Sequence, residues 1–195
     1  MAKTNQTANP APLGLASFGL TTVILSLVNA NVLSAEAMGV VLALALAYGG
    51  GAQLLAGMWE FRTGNTFAAM AFTSYGAFWL SFYLIQTTDM AVSDIGVGVY
   101  LLMWGVITFY LWIGTFYLNK ALFYVFLFLW ITFLLLALGD FGMNALGILG
   151  GWVGLLTGLI ALYTSAAEVI NSTAGHEVLP IGAAYKQAGN TDESV

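Results

Sequence analysis

The run ALFYVFLFLWITFLLLALG occupies residues 121–139 and contains no charged side chain. A helix needs about 20 predominantly apolar residues to cross the roughly 30 Å hydrocarbon core of a bilayer. Of the 195 residues in the chain, 60% are hydrophobic and 7% are charged, whereas a soluble domain carries about 25% charged residues. So few charges cannot coat a globule in water, and so apolar a chain is not disordered. The run is therefore predicted to lie in lipid, and a soluble enzyme is excluded.

Five further apolar runs accompany this one, and short polar connectors separate them. The predicted spans are residues 12–30, 38–59, 66–86, 95–118, 121–139 and 145–168. The chain is thus predicted to be an all-α membrane protein with six transmembrane helices and no extramembrane domain. We expect three regions: an N-terminal arm over 1–11, the six-span domain over 12–168, and a polar tail over 169–195. The tail is expected to be mobile past Pro180.

The basic residues all fall on one side of this topology. Lysine and arginine accumulate in cytoplasmic connectors, and the four in this chain are Lys3, Arg62, Lys120 and Lys186. The opposite side carries Glu36, Asp89, Asp94 and Asp140. Both termini are therefore predicted to be cytoplasmic, in the plasma or inner membrane of the cell. The net charge of −5 and the lack of a basic cluster argue against a nucleic-acid partner.

Polar groups inside the spans are few, and they mark a predicted path. Those selected are Thr21, Thr22, Ser26, Asn29, Gln53 and Thr73. Gly49–Gly51 precede Gln53, which predicts either a kinked or unwound helix beside a polar path or close helix packing. Acidic residues occur only near span ends, where Glu60 and Glu168 are candidates for carrying a proton or for packing. The aromatic residues of spans 4 and 5 predict a wall that faces lipid or another subunit.

Two other features of the composition limit the chemistry. The chain has no cysteine and one histidine, His176 in the tail, so no metal site or thiol nucleophile is predicted. We accordingly expect no enzyme activity and no cofactor. In span 6, Gly150, Gly154 and Gly158 repeat at a spacing that lets another helix approach closely. That neighbour is either a helix of the same chain or one of a second subunit.

The start of span 1 reads Asn9-Pro10-Ala11-Pro12-Leu13-Gly14-Leu15. Asparagine is a favoured N-cap, and proline in the first helical turn gives up only an N–H that would have no partner. The free N–H groups and the positive end of the helix dipole suit an anion such as a carboxylate. The segment is predicted to be a rigid helix start, with anion docking at Asn9 as the alternative role.

This N-P-A-P-L-G-L run is accompanied by GGAQ at 50–53, AFTSYGAFW at 71–79 and AAEVIN at 166–171. On these motifs the sequence resembles the acetate uptake transporter family (AceTr), which includes the succinate–acetate permeases of bacteria, archaea and fungi. The resemblance implies a six-helix protomer in a homo-oligomer, a hexameric ring with one substrate path in each protomer. It also implies transport of acetate, and in some members succinate, through an anion channel or by proton symport.

The resemblance further implies a narrow apolar constriction formed by a Phe, a Tyr and a Leu. By motif these map to Phe18, Tyr75 and one of Leu134–Leu136, of which Leu134 is selected. An apolar constriction excludes water and imposes a desolvation penalty on an anion. The alternative function is a urea or amide channel of similar six-span ring architecture, which would carry no charge during transport. A membrane scaffold without transport is a third reading, and polar groups on several spans argue against it.

Overall fold

The computed structural model describes residues 7–88 and 91–187, and within those ranges the chain is helical with no β-strand. Helix α1 spans Ala11–Asn29. A short 3-10 turn at Ala35–Ala37 leads into α2 (Met38–Leu46), a π-helical turn (Ala47–Ala52) and α3 (Gln53–Thr63). The remaining helices are α4 (Thr66–Thr87), α5 (Asp94–Thr115), α6 (Lys120–Asp140) and α7 (Asn144–Ala174).

The prediction of six spans is confirmed. In the described ranges, six helical stretches are long and apolar enough to cross a membrane, with the 3-10 turn, α2, the π-helical turn and α3 forming the second. The largest difference in bounds is at α7, which has 31 residues and ends at Ala174 rather than near residue 168. At 1.5 Å per residue such a helix is about 46 Å long, which exceeds the hydrocarbon thickness of about 30 Å.

The helices alternate in direction, so the bundle has two distinct ends. The tail-side face carries the start of α1, the α3–α4 and α5–α6 connectors and the end of α7. The opposite face, which we call the vestibule face after the cavity described below, carries the end of α1, the end of α4, the start of α5 and the α6–α7 connector. Lys3 and Asp89, which contributed to the predicted orientation, lie outside the described residues.

The interruption predicted in the second span is present as the π-helical turn at Ala47–Ala52. The glycines here combine a distorted helix with close packing against a neighbouring helix. The backbone departs from α-geometry, and a Cβ added at Gly49 would lie 2.7 Å from Thr21 Oγ1. At Gly50 a Cβ would collide with the carbonyl oxygen of Ala45. Short π-helical turns inside α-helices occur frequently at functional sites.

Two glycines of the α7 repeat, Gly154 and Gly158, pack against α1 of the same chain, and the third, Gly150, packs against Leu135 and Leu136 of α6. A Cβ at Gly154 would lie 2.5 Å from Ser26 Oγ, and one at Gly158 would lie 2.9 Å from the carbonyl oxygen of Gly19. Gly151 is in equally close contact with the backbone of Ala30. Of the two alternatives left open by the sequence, packing within the protomer is therefore what this stripe does.

Asn9 does not serve as the N-cap that the sequence predicts. The first helical residue is Ala11 and the cap position belongs to Pro10, without a capping side chain. Asn9 lies one residue too early to reach the N–H groups of the second and third helical residues. Its Oδ1 instead accepts a hydrogen bond from the Ala11 N–H at 3.0 Å.

The tail beyond Pro180 was expected to be mobile, and through residue 187 that expectation is wrong. Residues 178–187, which we call the strap, fold back across the tail-side face. The Asn171 side chain bonds the backbone of Val178 and Leu179, and Tyr163 donates to the carbonyl of Pro180 at 2.7 Å. These bonds, formed by side chains of α7 that composition alone does not single out, hold the segment in place.

The strap also completes the start of α6. The N–H groups of Lys120 and Ala121 donate to the carbonyl oxygens of Gly182 and Ile181 at 3.3 and 3.0 Å. Further along, the ring of Tyr185 packs on Phe123 with 4.7 Å between centroids. Because the first N–H groups of a helix lack intrahelical partners, these backbone bonds extend the hydrogen-bonded structure of α6 into the tail.

Candidate functional site

A cavity of about 460 Å³ opens at the vestibule face and extends toward the middle of the bundle. We call it the vestibule. Its mouth is polar, formed by Asn29, Asn31, Gln86, Asp140 and Asn144. Its deeper wall is mostly apolar and aromatic, and includes Phe18, Phe78, Trp79, Phe82, Tyr100, Leu129, Phe133 and Leu136. Apolar walls with a few polar groups are typical of small-molecule sites.

The vestibule ends at Phe18 and Leu129, beyond which lies a second cavity of about 10 Å³, large enough for roughly one water molecule. We call this the inner cavity; it is lined by Leu15, Phe18, Gln53, Ala71, Phe72, Tyr75, Val125, Phe126 and Leu129. Phe18 and Leu129 line both cavities and therefore separate them. The ring of Phe18 lies 5.7 Å from that of Tyr75, centroid to centroid.

Tyr75 is held in a fixed orientation at this constriction. Its hydroxyl forms a hydrogen bond with Thr108 Oγ1 at 2.9 Å, and Thr108 in turn donates to the Trp104 carbonyl at 2.7 Å. Tyr75 is 3% exposed, so its ring presents an apolar face to the inner cavity while its polar atom is satisfied elsewhere. The residues that the motif comparison placed at a constriction, Phe18 and Tyr75, are thus brought together.

Leu134 is not part of this constriction. It is half-buried and lines neither cavity, whereas Leu129 lines both. The reason is helical geometry: successive residues turn by about 100°, so a position five residues on is about 140° away around the helix. Leu129, Phe133 and Leu136 share the face of α6 that lines the vestibule. The prediction that Leu134 is the leucine of the constriction is therefore wrong, and Leu129 has that place in the structure.

Two polar side chains flank the constriction without a partner in the protein. Thr22 lines the vestibule, and its buried Oγ1 has no hydrogen-bond partner. Gln53 lines the inner cavity, is fully buried, and has no partner for either its Oε1 or its Nε2. An unsatisfied buried polar group costs about 1–3 kcal/mol. Thr73 Oγ1 also has no partner, and what distinguishes Thr22 and Gln53 from it is that they line the cavities on the two sides of Phe18, where a polar guest can reach them.

The other polar residues predicted on the path divide into two groups. Ser26 and Asn29 line the vestibule. Thr21 and Thr73 line neither cavity. Thr21 is fully buried and donates to the Ser17 carbonyl at 2.8 Å, and Thr73 packs against Gly57 between α4 and α3. Both threonines therefore lie in contacts between helices and not in the cavities.

The two acidic residues predicted to carry a proton or to pack, Glu60 and Glu168, lie at the tail-side face, and Glu168 contacts the segment that precedes α1. Glu168 Oε2 accepts a hydrogen bond from Asn9 Nδ2 at 3.1 Å, across 159 residues of sequence. Glu60 is 1% exposed; its Oε2 accepts from Thr63 Oγ1 at 3.0 Å, and its Oε1 has no protein partner. The helix start expected to dock an anion is therefore beside a carboxylate of the protein itself.

Several site residues are missed by the sequence reasoning. Phe126 and Phe133 belong to the aromatic set expected to face lipid or a subunit, but both are buried, at 5% and 4% exposure, and line the cavities. Asp140 was assigned only to a span end, and it lines the vestibule mouth. The signal that could have found this face is Thr132, a hydroxyl in an otherwise apolar run, which is buried and lines the vestibule beside Leu129 and Phe133.

Comparison with known proteins identifies the family of the chain. Residues 1–182 match the model of the GPR1/FUN34/yaaH family. The chain is 42% identical over 184 residues to the succinate-acetate/proton symporter SatP of Escherichia coli K12, covering 91% of this chain and 97% of that protein. It is 37% identical over 195 residues to acetate permease A of Emericella nidulans, covering 89% and 65% of the two chains.

A solved structure is similar as well. The bacterial acetate channel SatP superposes with a TM-score of 0.87 at 43% identity, covering 91% of this chain and 100% of that one. The resemblance read from the sequence motifs is confirmed, and with it a multi-pass helical membrane protein whose relatives are transporters and channels. The chain belongs to the GPR1/FUN34/yaaH family.

Proposed function

We propose that this protein carries acetate, and other small carboxylates such as succinate, across the membrane in which it lies. The observation that carries the proposal is the arrangement at Phe18: a vestibule on one side, a small cavity on the other, and an unpartnered buried polar group in each. The names of the relatives, a succinate-acetate/proton symporter, an acetate permease and an acetate channel, support the same substrate class.

The path we propose has two polar stations separated by an apolar barrier. A carboxylate in the vestibule meets Asn29, Ser26 and Thr22 in turn, and the Thr22 hydroxyl donates to it at the deep end. It then passes Phe18, Tyr75 and Leu129, where loss of hydration opposes an anion. Beyond them the Gln53 amide N–H replaces part of the lost hydration shell. Thr21 and Thr73 support the helices around this path.

At the tail-side face we propose that Glu60 and Glu168 serve proton coupling. Glu60 has a carboxylate oxygen without a protein partner, and Glu168 is held by Asn9 at the start of α1. A substrate leaving the inner cavity toward this face approaches carboxyls that can take up or release a proton. In an anion channel, Glu60 and Glu168 would only form part of the tail-side opening. Coupling of acetate uptake to the movement of protons therefore distinguishes a symporter from a channel.

We further propose the membrane placement and assembly. The division into an arm (1–11), a membrane domain (12–168) and a tail (169–195) is retained, with α7 projecting beyond the membrane domain. Arg62, Lys120 and Lys186 are all at the tail-side face, which supports cytoplasmic termini in the cell membrane. Exposed apolar residues along α5, including Val99, Met103, Val106 and Ile113, are available to lipid or to neighbouring copies in a hexameric ring. Native mass spectrometry of the detergent-solubilised protein tests the stoichiometry.

The test of the function is labelled acetate flux in proteoliposomes, with the pH gradient and the voltage set independently. We expect saturable acetate uptake above that of protein-free vesicles. Uphill uptake driven by the pH gradient alone indicates symport, and downhill, voltage-dependent flux indicates a channel. The proposal fails if acetate uptake equals that of empty vesicles. Uptake of labelled urea instead, without charge movement, would establish the alternative amide channel.

A further inference from the structure

The mouth of the vestibule contains an acidic side chain that the path itself does not need. Asp140 is the last residue of α6, is half-buried and lines the vestibule. Within the described part of the chain it is the only charged residue that does so. The other polar groups at the mouth, Asn29, Asn31, Gln86 and Asn144, are uncharged amides. A fixed negative charge at the entrance for an anion is the reverse of what attraction requires.

No described basic residue compensates this charge. Arg62, Lys120 and Lys186 lie in or beside connectors of the tail-side face, at the other end of the helices. The described charged neighbours at the vestibule face are Asp94, at the start of α5 and within electrostatic range of Asp140, and the exposed Glu36. Both are acidic, so they add to the negative potential at the mouth.

We infer that Asp140 is a charge filter that favours monocarboxylates over dicarboxylates. The inference rests on the proposed transport function and deepens it. Coulomb repulsion is proportional to the charge on the substrate. A dianion such as succinate is therefore repelled with twice the energy of a monoanion such as acetate at the same position. Since energies enter affinities exponentially, the factor by which Asp140 weakens dianion binding is the square of the factor for a monoanion.

The experiment is equilibrium exchange of labelled acetate in phosphatidylcholine proteoliposomes at about pH 7.5, where acetate and both carboxyls of succinate are ionised. Acetate has the same concentration inside and outside the vesicles, and so does the competing succinate. The direction in which the protein is inserted therefore does not matter. For Asp140→Asn we expect the half-saturation constant for acetate to fall about threefold and the inhibition constant of succinate about tenfold. Glu36→Gln removes the same charge from an exposed site on the same face and should change both constants by less.

A measurement on the unmodified protein does not depend on any variant folding. Raising the ionic strength from about 0.01 M to about 0.1 M shortens the Debye length from about 30 Å to about 10 Å. We expect the higher ionic strength to lower the inhibition constant of succinate more than the half-saturation constant of acetate. In Asp140→Asn we expect both decreases to be smaller.

The outcomes separate this inference from the proposed function. If the unmodified protein exchanges no acetate, the transport function is wrong. If it exchanges acetate but Asp140→Asn leaves both constants unchanged, or shifts them equally, the charge filter is wrong. A folded Asp140→Asn protein that no longer exchanges acetate also overturns it, because a filter is dispensable for transport. Should the variant fail to fold, equal salt effects on acetate and succinate in the unmodified protein overturn it.

Discussion

At the scale of single residues, Gln53 is the clearest sign that the interior serves more than packing. Its amide is fully buried and has no partner in the protein, whereas the equally buried hydroxyl of Tyr75 is paired with Thr108. The two residues line the same small cavity. Selection for stability alone would place an apolar side chain at position 53, because leaving a buried amide unpaired costs about 1–3 kcal/mol.

We therefore predict opposite effects of Gln53→Leu on stability and on transport. Thermal unfolding in detergent should show equal or higher stability, by about 1 kcal/mol, since a buried unsatisfied group is removed. Acetate uptake into proteoliposomes should fall at least about tenfold, which corresponds to losing roughly one charge-assisted hydrogen bond to the substrate. The matched control is Thr73→Val, which also removes an unpartnered hydroxyl but from a position outside both cavities. Uptake that survives in Gln53→Leu, or falls equally in Thr73→Val, would contradict the role of Gln53.

Phe18 and Leu129 give a second prediction, on substrate size. Truncating either to alanine removes a wall shared by the vestibule and the inner cavity, and should admit lactate, which is larger than acetate. The core loses packing at the same time, at a cost of about 2–5 kcal/mol. Labelled lactate uptake, normalised to the amount of folded protein, measures the effect. Leu134→Ala is the control, because Leu134 lines neither cavity; an unchanged substrate range in Phe18→Ala would refute the constriction.

The same residues show what the sequence could and could not predict at this scale. Phe18 and Tyr75 follow motifs, and the structure brings them together. Leu129 was missed because leucines occur on every side of α6 and the one hydroxyl in the run, Thr132, which lines the vestibule beside Leu129, was not used to identify the lining face. The contact of Asn9 with Glu168 joins the two ends of the chain, and local sequence carries no information about such a pairing.

At the scale of elements, the close contact of α1 with α7 depends on the missing side chains of the glycine stripe. Gly151 lies against the backbone of Ala30, and backbone cannot rotate away as a side chain can. Gly147, one turn earlier on the same helix, is less constrained: an added Cβ would be 3.4 Å from the nearest atom, the Cα of Gly139. The two glycines therefore differ in what a methyl group would meet.

We predict that Gly151→Ala destabilises the protein by about 1–3 kcal/mol, because the added methyl group forces the two helices apart. Gly147→Ala should be neutral within about 0.5 kcal/mol, or slightly stabilising, since alanine is the better helix former. Thermal unfolding of both variants in the same detergent is the measurement. Equal stability of the two variants would show that α1 and α7 are not held at this distance by the glycine stripe.

Among the elements, the number of spans was predictable because length and hydropathy determine them. The distortion in the second span was predictable because three successive glycines weaken a helix. The order of the strap was not predictable, because it depends on Asn171, Tyr163 and the start of α6, which come together only in the folded bundle.

At the scale of the whole molecule, charge divides the bundle into two unlike faces. The described basic residues lie at the tail-side face, and the vestibule face carries Glu36, Asp94 and Asp140. This asymmetry was already visible in the sequence once the spans were counted. What the sequence could not supply is that one of those acidic residues lines the main cavity, since that depends on how α6 is rotated in the bundle.

The orientation that follows from this asymmetry can be tested directly because the chain contains no cysteine. Single cysteines at the exposed positions Glu36 and Glu177 report on the vestibule face and the tail-side face. In intact cells, a membrane-impermeant maleimide should label Glu36→Cys and should label Glu177→Cys only after permeabilisation. Labelling of Glu177→Cys in intact cells would show that the termini face outward.

The strap has a consequence for the order in which the protein is made. The first N–H groups of α6 find their acceptors on residues 181 and 182, which are synthesised about 60 residues later. During synthesis, α6 therefore enters the membrane with an unfinished end, and the end is completed only after α7 has been inserted. A chain that ends within α7 would contain the beginning of all six predicted spans, but the first N–H groups of α6 would still lack these acceptors. Residues 181 and 182 therefore complete α6 only after all six spans have been synthesised.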